Sequence, residues 1–179
     1  MLRGINVSGQ KIIKMDDLRK TYESVGFKSV RSYVQSGNIL FSSVKEPTLK
    51  LSVQIAQIIL KEFGFQVGII VKTGNEMAGV VKNNPFLKEK GIDSARLYVT
   101  FLSQIPEKAA LKRLDSLLSG QERFYYSGKE IYIHCPDGYG KTKFSNNNVE
   151  RILETVATTR NWRTVTNLHG MTLKDRSPR

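Results

Sequence analysis

VRSYVQSGNILFS, residues 30–42, sets two β-rich runs, Val30 to Gln35 and Ile39 to Ser42, on either side of Ser36-Gly37-Asn38. Branched and aromatic residues suit a pleated strand, and the Ser-Gly-Asn break supplies the backbone freedom of a hairpin turn. Upstream, Met15, Leu18, Tyr22 and Val25 recur at helical spacing, and Gly26 stands where a left-handed glycine ends a helix. Further back, Leu2 to Val7 reads as a short strand entering a turn at Ser8-Gly9-Gln10. Downstream, Pro47 suits the first turn of a second helix whose apolar face is Leu51, Ile55, Ile58 and Ile59, with Gly64 closing it. Val67 to Lys72 supplies one more strand. The order is β-α-β-β-α-β, the split β-α-β or ferredoxin-like arrangement.

Beyond it the order recurs in more decorated form. Asn75 to Asn83 reads as a short helix that Asn84-Pro85 breaks, and Lys88-Glu-Lys-Gly91 as an exposed linker. Leu97 to Leu102 is a strand, and Pro106 to Leu118 a helix with Ala110, Leu114, Leu117 and Leu118 inward. Arg123 to Tyr126 and Glu130 to His134 make a hairpin around Ser127-Gly128-Lys129. Asn146 to Val156 is a helix capped by Ser145 or Asn146. Ala157 to Thr159 adds a brief strand, and Trp162, Val165 and Leu168 mark a final helix. The expected plan is α+β: two ferredoxin-like units whose antiparallel sheets carry helices on one face. Residues 1–74 form the first unit, 75–95 a connecting helix and linker, 96–172 the second unit and 173–179 a C-terminal tail.

Composition narrows the functional classes. The chain has 179 residues, 40% of them hydrophobic, a balance that excludes disordered, collagen-like and coiled-coil chains. No apolar run approaches the ~20 residues of a bilayer span, and MLRGINVSGQ lacks the apolar stretch of a signal peptide. The single cysteine, Cys135, cannot form an internal disulfide, which points to a reducing cytoplasm. The formal charge is +12, and it is spread: residues 1–90 carry 14 basic against 7 acidic groups, residues 91–179 carry 14 against 9. Such a field favours anionic partners, nucleic acid among them, yet no basic arm or run of five or six like charges is present.

Several stretches combine into a recognisable set: Leu2-Arg-Gly-Ile-Asn-Val-Ser-Gly9, Lys14-Met15, Tyr33-Val-Gln-Ser-Gly-Asn38, Gly140-Lys-Thr-Lys143, Asn147 with Glu150, and Ala157-Thr-Thr-Arg-Asn-Trp162. Together they resemble domain-of-unknown-function family 1697 over residues 1 to about 172. The resemblance implies a bacterial or archaeal cytoplasmic protein on an α+β, ferredoxin-like plan, and no activity. Members carry several strand residues ahead of Leu-Arg-Gly, whereas Met1 immediately precedes it here. The first strand is therefore shortened, or the numbering starts within a longer chain. Ser8 stands where the family has glycine.

The candidate site residues fall in four polar blocks. Arg3 and Asn6 end the first strand, and the following turn can present backbone N–H groups to an anion; turn geometry alone also accounts for Asn6 and Gly9. Gln35, Ser36 and Asn38 offer amides and a hydroxyl for directional bonding, or serve only the hairpin. Cys135-Pro-Asp-Gly-Tyr-Gly-Lys-Thr142 matches a P-loop at Gly140, Lys141 and Thr142 but has cysteine for the first glycine and stops short of its helix. A nucleotide triphosphatase is therefore excluded, while Gly138, Gly140, Lys141 and Lys143, followed by Asn146 to Asn148 at the helix start, can still hold a phosphate or carboxylate. Asn147 and Glu150, one turn apart on the same helical face, are further binding candidates, or Glu150 serves an ion pair with a nearby Lys or Arg. Thr159, Arg160 and Asn161 offer a hydroxyl, a guanidinium and an amide, or a helix cap.

Catalytic patterns are thin. His134 and Cys135 adjoin on a strand and point to opposite faces, so they form no dyad, and neither His134 nor His169 has partners at metal-ligand spacing. No metal and no cofactor is expected, and no residue is assigned as catalytic. The leading expectation is a cytoplasmic protein binding a small anionic or nucleotide-like ligand through its Gly, Asn, Arg and Lys turns. A single-stranded nucleic-acid module is the second reading. It takes Leu97, Val99 and Phe101 as core-facing and gathers Arg96, Tyr98, Thr100, Arg123, Tyr125, Tyr132 and His134 on one open face. An enzyme acting on a phosphorylated metabolite is the third, with Glu150 the first candidate acid or base. No membrane partner is expected, and the sequence does not specify an oligomeric state.

Overall fold

A computed structural model describes residues 1–7 and 9–174; Ser8 and the end of the tail, residues 175–179, lie outside the described residues. The chain is a mixed α+β protein that divides into two compact units, Met1–Gly74 with the chain from Gly170, and Asn75–His169.

In the first unit, helix α1 (Met15–Ser24) leads into strand β1 (Lys28–Tyr33), which pairs antiparallel with β2 (Asn38–Ser42) before helix α2 (Thr48–Phe63). Arg31 pairs with Leu40, Ser32 with Ile39 and Tyr33 with Asn38. A bulge interrupts the register between Lys28 and Arg31, where Ser29 takes a positive φ of 51°. Leu18 and Tyr22 of α1 and Leu51, Ile55 and Ile59 of α2 bury against Ile39, Val67, Ile69, Leu2 and Ile5. The strands expected at Leu2–Val7 and Val67–Lys72 contract to one antiparallel bridge, Leu2 to Ile69. The cause is local: Gly4 and Asn6 take positive φ values of 67° and 54°, which turns the chain out of the sheet after two residues. The bridge is still well tied. Arg3 N–H donates to Gly68 O at 2.9 Å, Ile70 N–H to Met1 O at 3.0 Å, and the N-terminal ammonium to Ile70 O at 2.8 Å.

Gly37 is where this segment meets the hairpin. Leu2 N–H donates to Gly37 O at 2.8 Å, and Gly37 itself has φ 73°. A Cβ there would lie 2.8 Å from Leu2 Cβ and 3.0 Å from two carbons of Ile5. Glycine is needed on both counts, conformation and space.

In the second unit, α3 (Gly74–Lys82) and a 3-10 turn (Pro85–Lys88) precede β3 (Leu97–Leu102). Then follow α4 (Lys108–Arg113), a 3-10 turn (Leu114–Leu117), the hairpin β4 (Arg123–Ser127) and β5 (Glu130–His134), α5 (Asn146–Leu153), β6 (Ala157–Asn161) and α6 (Trp162–Lys174). The four strands form one antiparallel sheet in the order β4-β5-β3-β6. From β3 to β6 the elements of this unit follow the order β-α-β-β-α-β. Ala110, Leu111 and Leu114, with Val149, Ile152 and Leu153, pack on Leu102, Ile131, Ile133 and Ala157.

The helices do not all sit on one face, which corrects an expectation from the sequence. The opposite face carries Leu97, Val99, Phe101 and Tyr132, all buried, and the 75–88 segment covers part of it. The Tyr132 hydroxyl donates to Val80 O of α3 at 3.2 Å, and the Phe86 ring packs at 5.0 Å on Tyr125 and 5.7 Å on His134. Asn84, buried, caps the 3-10 turn by accepting from Phe86 N–H at 3.1 Å. β3 is thus covered on both sides, so alternation along LYVTFL does not reveal which side carries the crossover helices.

Candidate functional site

The first unit brings the Leu2–Gly9 and Gln35–Asn38 blocks together, and Asn6 is the joint. Its Nδ2 donates to Ile13 O at 2.9 Å and to Gln35 O at 3.0 Å, while its Oδ1 accepts from Ile13 N–H at 2.8 Å. Its backbone N–H donates to Lys11 O at 3.2 Å. Asparagine suits the left-handed conformation at this position, and one amide closes the loop onto the hairpin. Asn38 is fully buried and works inside the turn, donating to Ser36 Oγ at 2.9 Å and Tyr33 O at 3.3 Å. Arg3 is half-buried; Gln35 and Ser36 are exposed.

Above this joint lies an open cleft of about 510 Å³, lined by Asn6, Gly9, Ile12, Ile13, Lys14 and Gln35 together with the first residues of α1. Lys14 occupies the N-cap position and makes no capping bond with its side chain, so the first-turn N–H groups of α1 keep no cap from that residue. Asp16, also on the lining, is held in an ion pair by Arg19, whose other nitrogen donates to Ser32 Oγ at 2.8 Å. Lys11 is turned away and donates to Gln66 O at 2.7 Å. The cleft therefore presents an exposed ammonium, a side-chain amide, helix-start amides and an apolar edge at Ile12, which is 69% exposed. In sequence, Lys14 and the α1 start enter only through the Lys14-Met15 match, and Ile12 carries no site signal. The signal at the α1 start was a helix entered without Ser, Thr, Asp or Asn at its cap. A second, larger trough of about 800 Å³ runs along α2, with Val44, Leu49 and Val53 on an apolar lining.

The second unit uses its polar residues mainly for construction. Thr159 Oγ1 donates to Asn146 Oδ1 at 2.7 Å and lies 2.7 Å from Thr100 Oγ1. The Tyr139 hydroxyl is 3.0 Å from Thr159 Oγ1 and 2.5 Å from Phe144 O. This junction fixes the loop that carries Lys141 and Lys143, both exposed, ahead of exposed Asn147. Glu150 accepts from Ala157 N–H at 3.0 Å and so ties α5 to β6. Asn161 accepts from Thr164 N–H at 2.8 Å, a cap for the start of α6. Arg160 points to the other face from Thr159 and is 9% exposed, bonded to Thr158 Oγ1 at 2.7 Å and Thr159 O at 2.8 Å. Burial lowers its pKa to about 10, which still leaves it charged at neutral pH.

The loop after β5 is not a P-loop. Tyr139–Lys141 form a 3-10 turn, and α5 begins only at Asn146, capped by Ser145 Oγ accepting from Asn148 N–H at 3.3 Å. Replacing Ser145 by alanine should cost about 1 kcal/mol, read as a lower urea midpoint at unchanged slope. Cys135 belongs to the core, and burial pushes its thiol up to about 11. Iodoacetamide at pH 8 should label it far more slowly in the native chain than in urea; equal rates would contradict the burial.

The tyrosines do not share a platform. Tyr98 and Thr100 lie on the α4–α5 side, the Tyr98 ring tilted against Tyr139 at 4.9 Å, while Tyr125, Tyr132 and His134 lie with Leu97 and Val99 on the other. Tyr132 is buried there, and burial and Glu130 raise its pKa to about 12. The expected opposition of Tyr98 and Thr100 to Leu97, Val99 and Phe101 holds, while Arg123, Tyr125, Tyr132 and His134 share the face of Leu97 and Val99 instead of joining Tyr98. His134 Nδ1 is buried with no hydrogen-bond partner among the described residues. Burial first, then Arg123, lower its pKa against the pull of Glu89 and Asp93. A folded-state pKa below the unfolded ~6.5 means that the unfolded chain takes the proton first, so this group's contribution is full above pH ~6.5 and fades as pH falls through the folded value. Thermal melts at pH 7.5 and 5.5 should show a smaller acid loss in His134→Gln than in the parent chain.

The family model described as "Protein of unknown function (DUF1697)" matches residues 1–132. No curated protein matches. Among solved structures, that of the conserved bacterial protein SP0830 from Streptococcus pneumoniae is similar with a TM-score of 0.72 and 23% identity, over 96% of each chain. That likeness establishes a shared fold. Among the described residues, no helix is long and apolar enough to cross a membrane.

Proposed function

The chain belongs to the DUF1697 family, and from that premise we propose that its first unit binds a compact anionic or nucleotide-like ligand in the cleft at the start of α1. One observation carries the reading: the Leu2–Gly9 and Gln35–Asn38 blocks meet through Asn6 at the rim of that cleft, beside a helix start that Lys14 leaves uncapped. A helix N-terminus favours negative charge, and Lys14 adds a full positive one. Gln35 can bond a phosphate oxygen or a base edge, and Ile12 and Ile13 offer an apolar surface for a ring. Asn6 spends its amide on the scaffold, so its role is to position the other groups.

Both units are read as versions of one split β-α-β plan, the first with its outer strands shortened. The domain limits 1–74, 75–95 and 96–172 and a cytoplasmic setting belong to the same proposal. The buried lone thiol supports the setting. Lys141, Lys143 and Asn147 are proposed as a secondary anion-attracting patch of the second unit. Titration calorimetry with AMP and with inorganic phosphate tests the first-unit site. Binding should weaken about tenfold in Lys14→Ala, a loss of ~1.4 kcal/mol. Equal affinity in Lys14→Ala, with loss in Lys141→Ala instead, would move the site to the second unit.

A further inference from the structure

We propose that the free edge of β4 pairs with β4 of a second copy of this chain, joining two four-stranded sheets into one about a two-fold axis at Tyr125. Strand β4 ends the sheet, with β5 as its partner on one side and no strand beyond it among the described residues. The β4–β5 hairpin closes Ser127 against Glu130 around a two-residue loop whose first member, Gly128, has φ 59°. In such a hairpin the closing pair exchanges both backbone hydrogen bonds, and bonded pairs alternate from there. Ser127, Tyr125 and Arg123 therefore spend their backbone groups on β5, and Phe124 and Tyr126 aim theirs outward. The edge holds no proline or lysine, its five-residue register with β5 has no bulge, and its one charge, Arg123, is held in an ion pair by Glu89.

The outward groups are self-complementary. An antiparallel copy centred on Tyr125 sets Phe124 opposite Tyr126 twice, a bonded pair each time, giving four hydrogen bonds across the axis. The side chains agree with that register on both faces. Phe124 packs on Phe144 at 5.2 Å, and Tyr126, 53% exposed, would extend that cluster from the second copy. Tyr125, 45% exposed against Phe86, would meet its own equivalent. Charges agree too. Arg123 lies opposite Ser127, and Glu122 of one copy comes beside Lys129 of the other. The +12 charge of each chain opposes association over a longer range, so added salt should strengthen pairing.

The test is sedimentation equilibrium of the full chain at 0.1 M and 0.5 M salt, with Tyr126→Lys as the edge variant and circular dichroism to confirm its fold. A mass twice 20.3 kDa that rises in population with salt and is lost in folded Tyr126→Lys supports the proposal. A separate arm keeps it decisive should that variant fail to fold. Tyr125→Cys places two thiols about 4.5 Å apart at Cα across the axis, inside the disulfide range. Ser127→Cys places them roughly 14 Å apart. Oxidation should cross-link the first and spare the second. A mass of 20.3 kDa at all concentrations, a dimer that survives in Tyr126→Lys, or equal cross-linking of both cysteine variants would each overturn it.

Discussion

Asn6→Ala should lower the unfolding free energy by about 3 kcal/mol. Three side-chain hydrogen bonds, two to Ile13 and one to Gln35, vanish together, at ~1 kcal/mol each. The left-handed backbone at φ 54° adds ~1 kcal/mol against alanine, and solvent access to the Gln35 contact offsets part of the total. The same change releases the loop over residues 6–13, so the cleft loses its wall and AMP binding should fall below detection. Asn6→Asp separates the two effects. It keeps the acceptor for Ile13 N–H and the backbone preference, loses both donors, and sets a negative charge at the rim. It should fold better than Asn6→Ala and still fail to bind. Urea melts beside calorimetry read both quantities; an Asn6→Ala chain as stable as the parent would remove Asn6 from the scaffold.

Gly37→Ala should cost about 2–4 kcal/mol. Its φ of 73° penalises any Cβ by ~1 kcal/mol, and the added carbon would meet Leu2 Cβ at 2.8 Å and Ile5 at 3.0 Å. Leu2 and Ile5 are almost fully buried, so neither can swing aside into solvent. The strain then falls on the Leu2–Gly37 hydrogen bond and on the Leu2–Ile69 bridge. Limited proteolysis near residues 2–9 should accelerate along with the loss in urea midpoint. A loss under about 0.5 kcal/mol would mean that the N-terminal segment is free to move away from the hairpin.

These two residues also show what a sequence can disclose. The hairpin at 30–42 and the helices around Leu18 and Ile55 were legible because turn residues and apolar spacing act locally. The antiparallel α+β class followed from their order. The end strands were not legible, since Gly4 and Asn6 break a β-rich run by a conformation that only long-range bonds to Ile13 and Gln35 select. The pairing of the hairpin with β3 was not legible: it sets Tyr125, Tyr132 and His134 on the face of Leu97 and Val99, where Phe86 and Val80 arrive from a segment that reads as a connector. At the site, Asn6 and Gln35 were marked by residue type, yet their meeting spans 29 positions and could be seen only once the chain was folded. Asn161, Asn38 and Glu150 were marked by the same polar chemistry and serve a helix cap, a turn and a backbone tie. Polar residues beside glycine look alike in sequence whether they hold a ligand or the chain itself.

An amide-resolved NMR titration with AMP tests the central claim most directly. The account predicts saturable shifts at the backbone amides of Met15, Asp16 and Gly9 and at the Gln35 side chain, all with one dissociation constant that weakens with salt. Shifts confined to residues 141–147, or no saturable shift in the first unit at millimolar AMP, would contradict it.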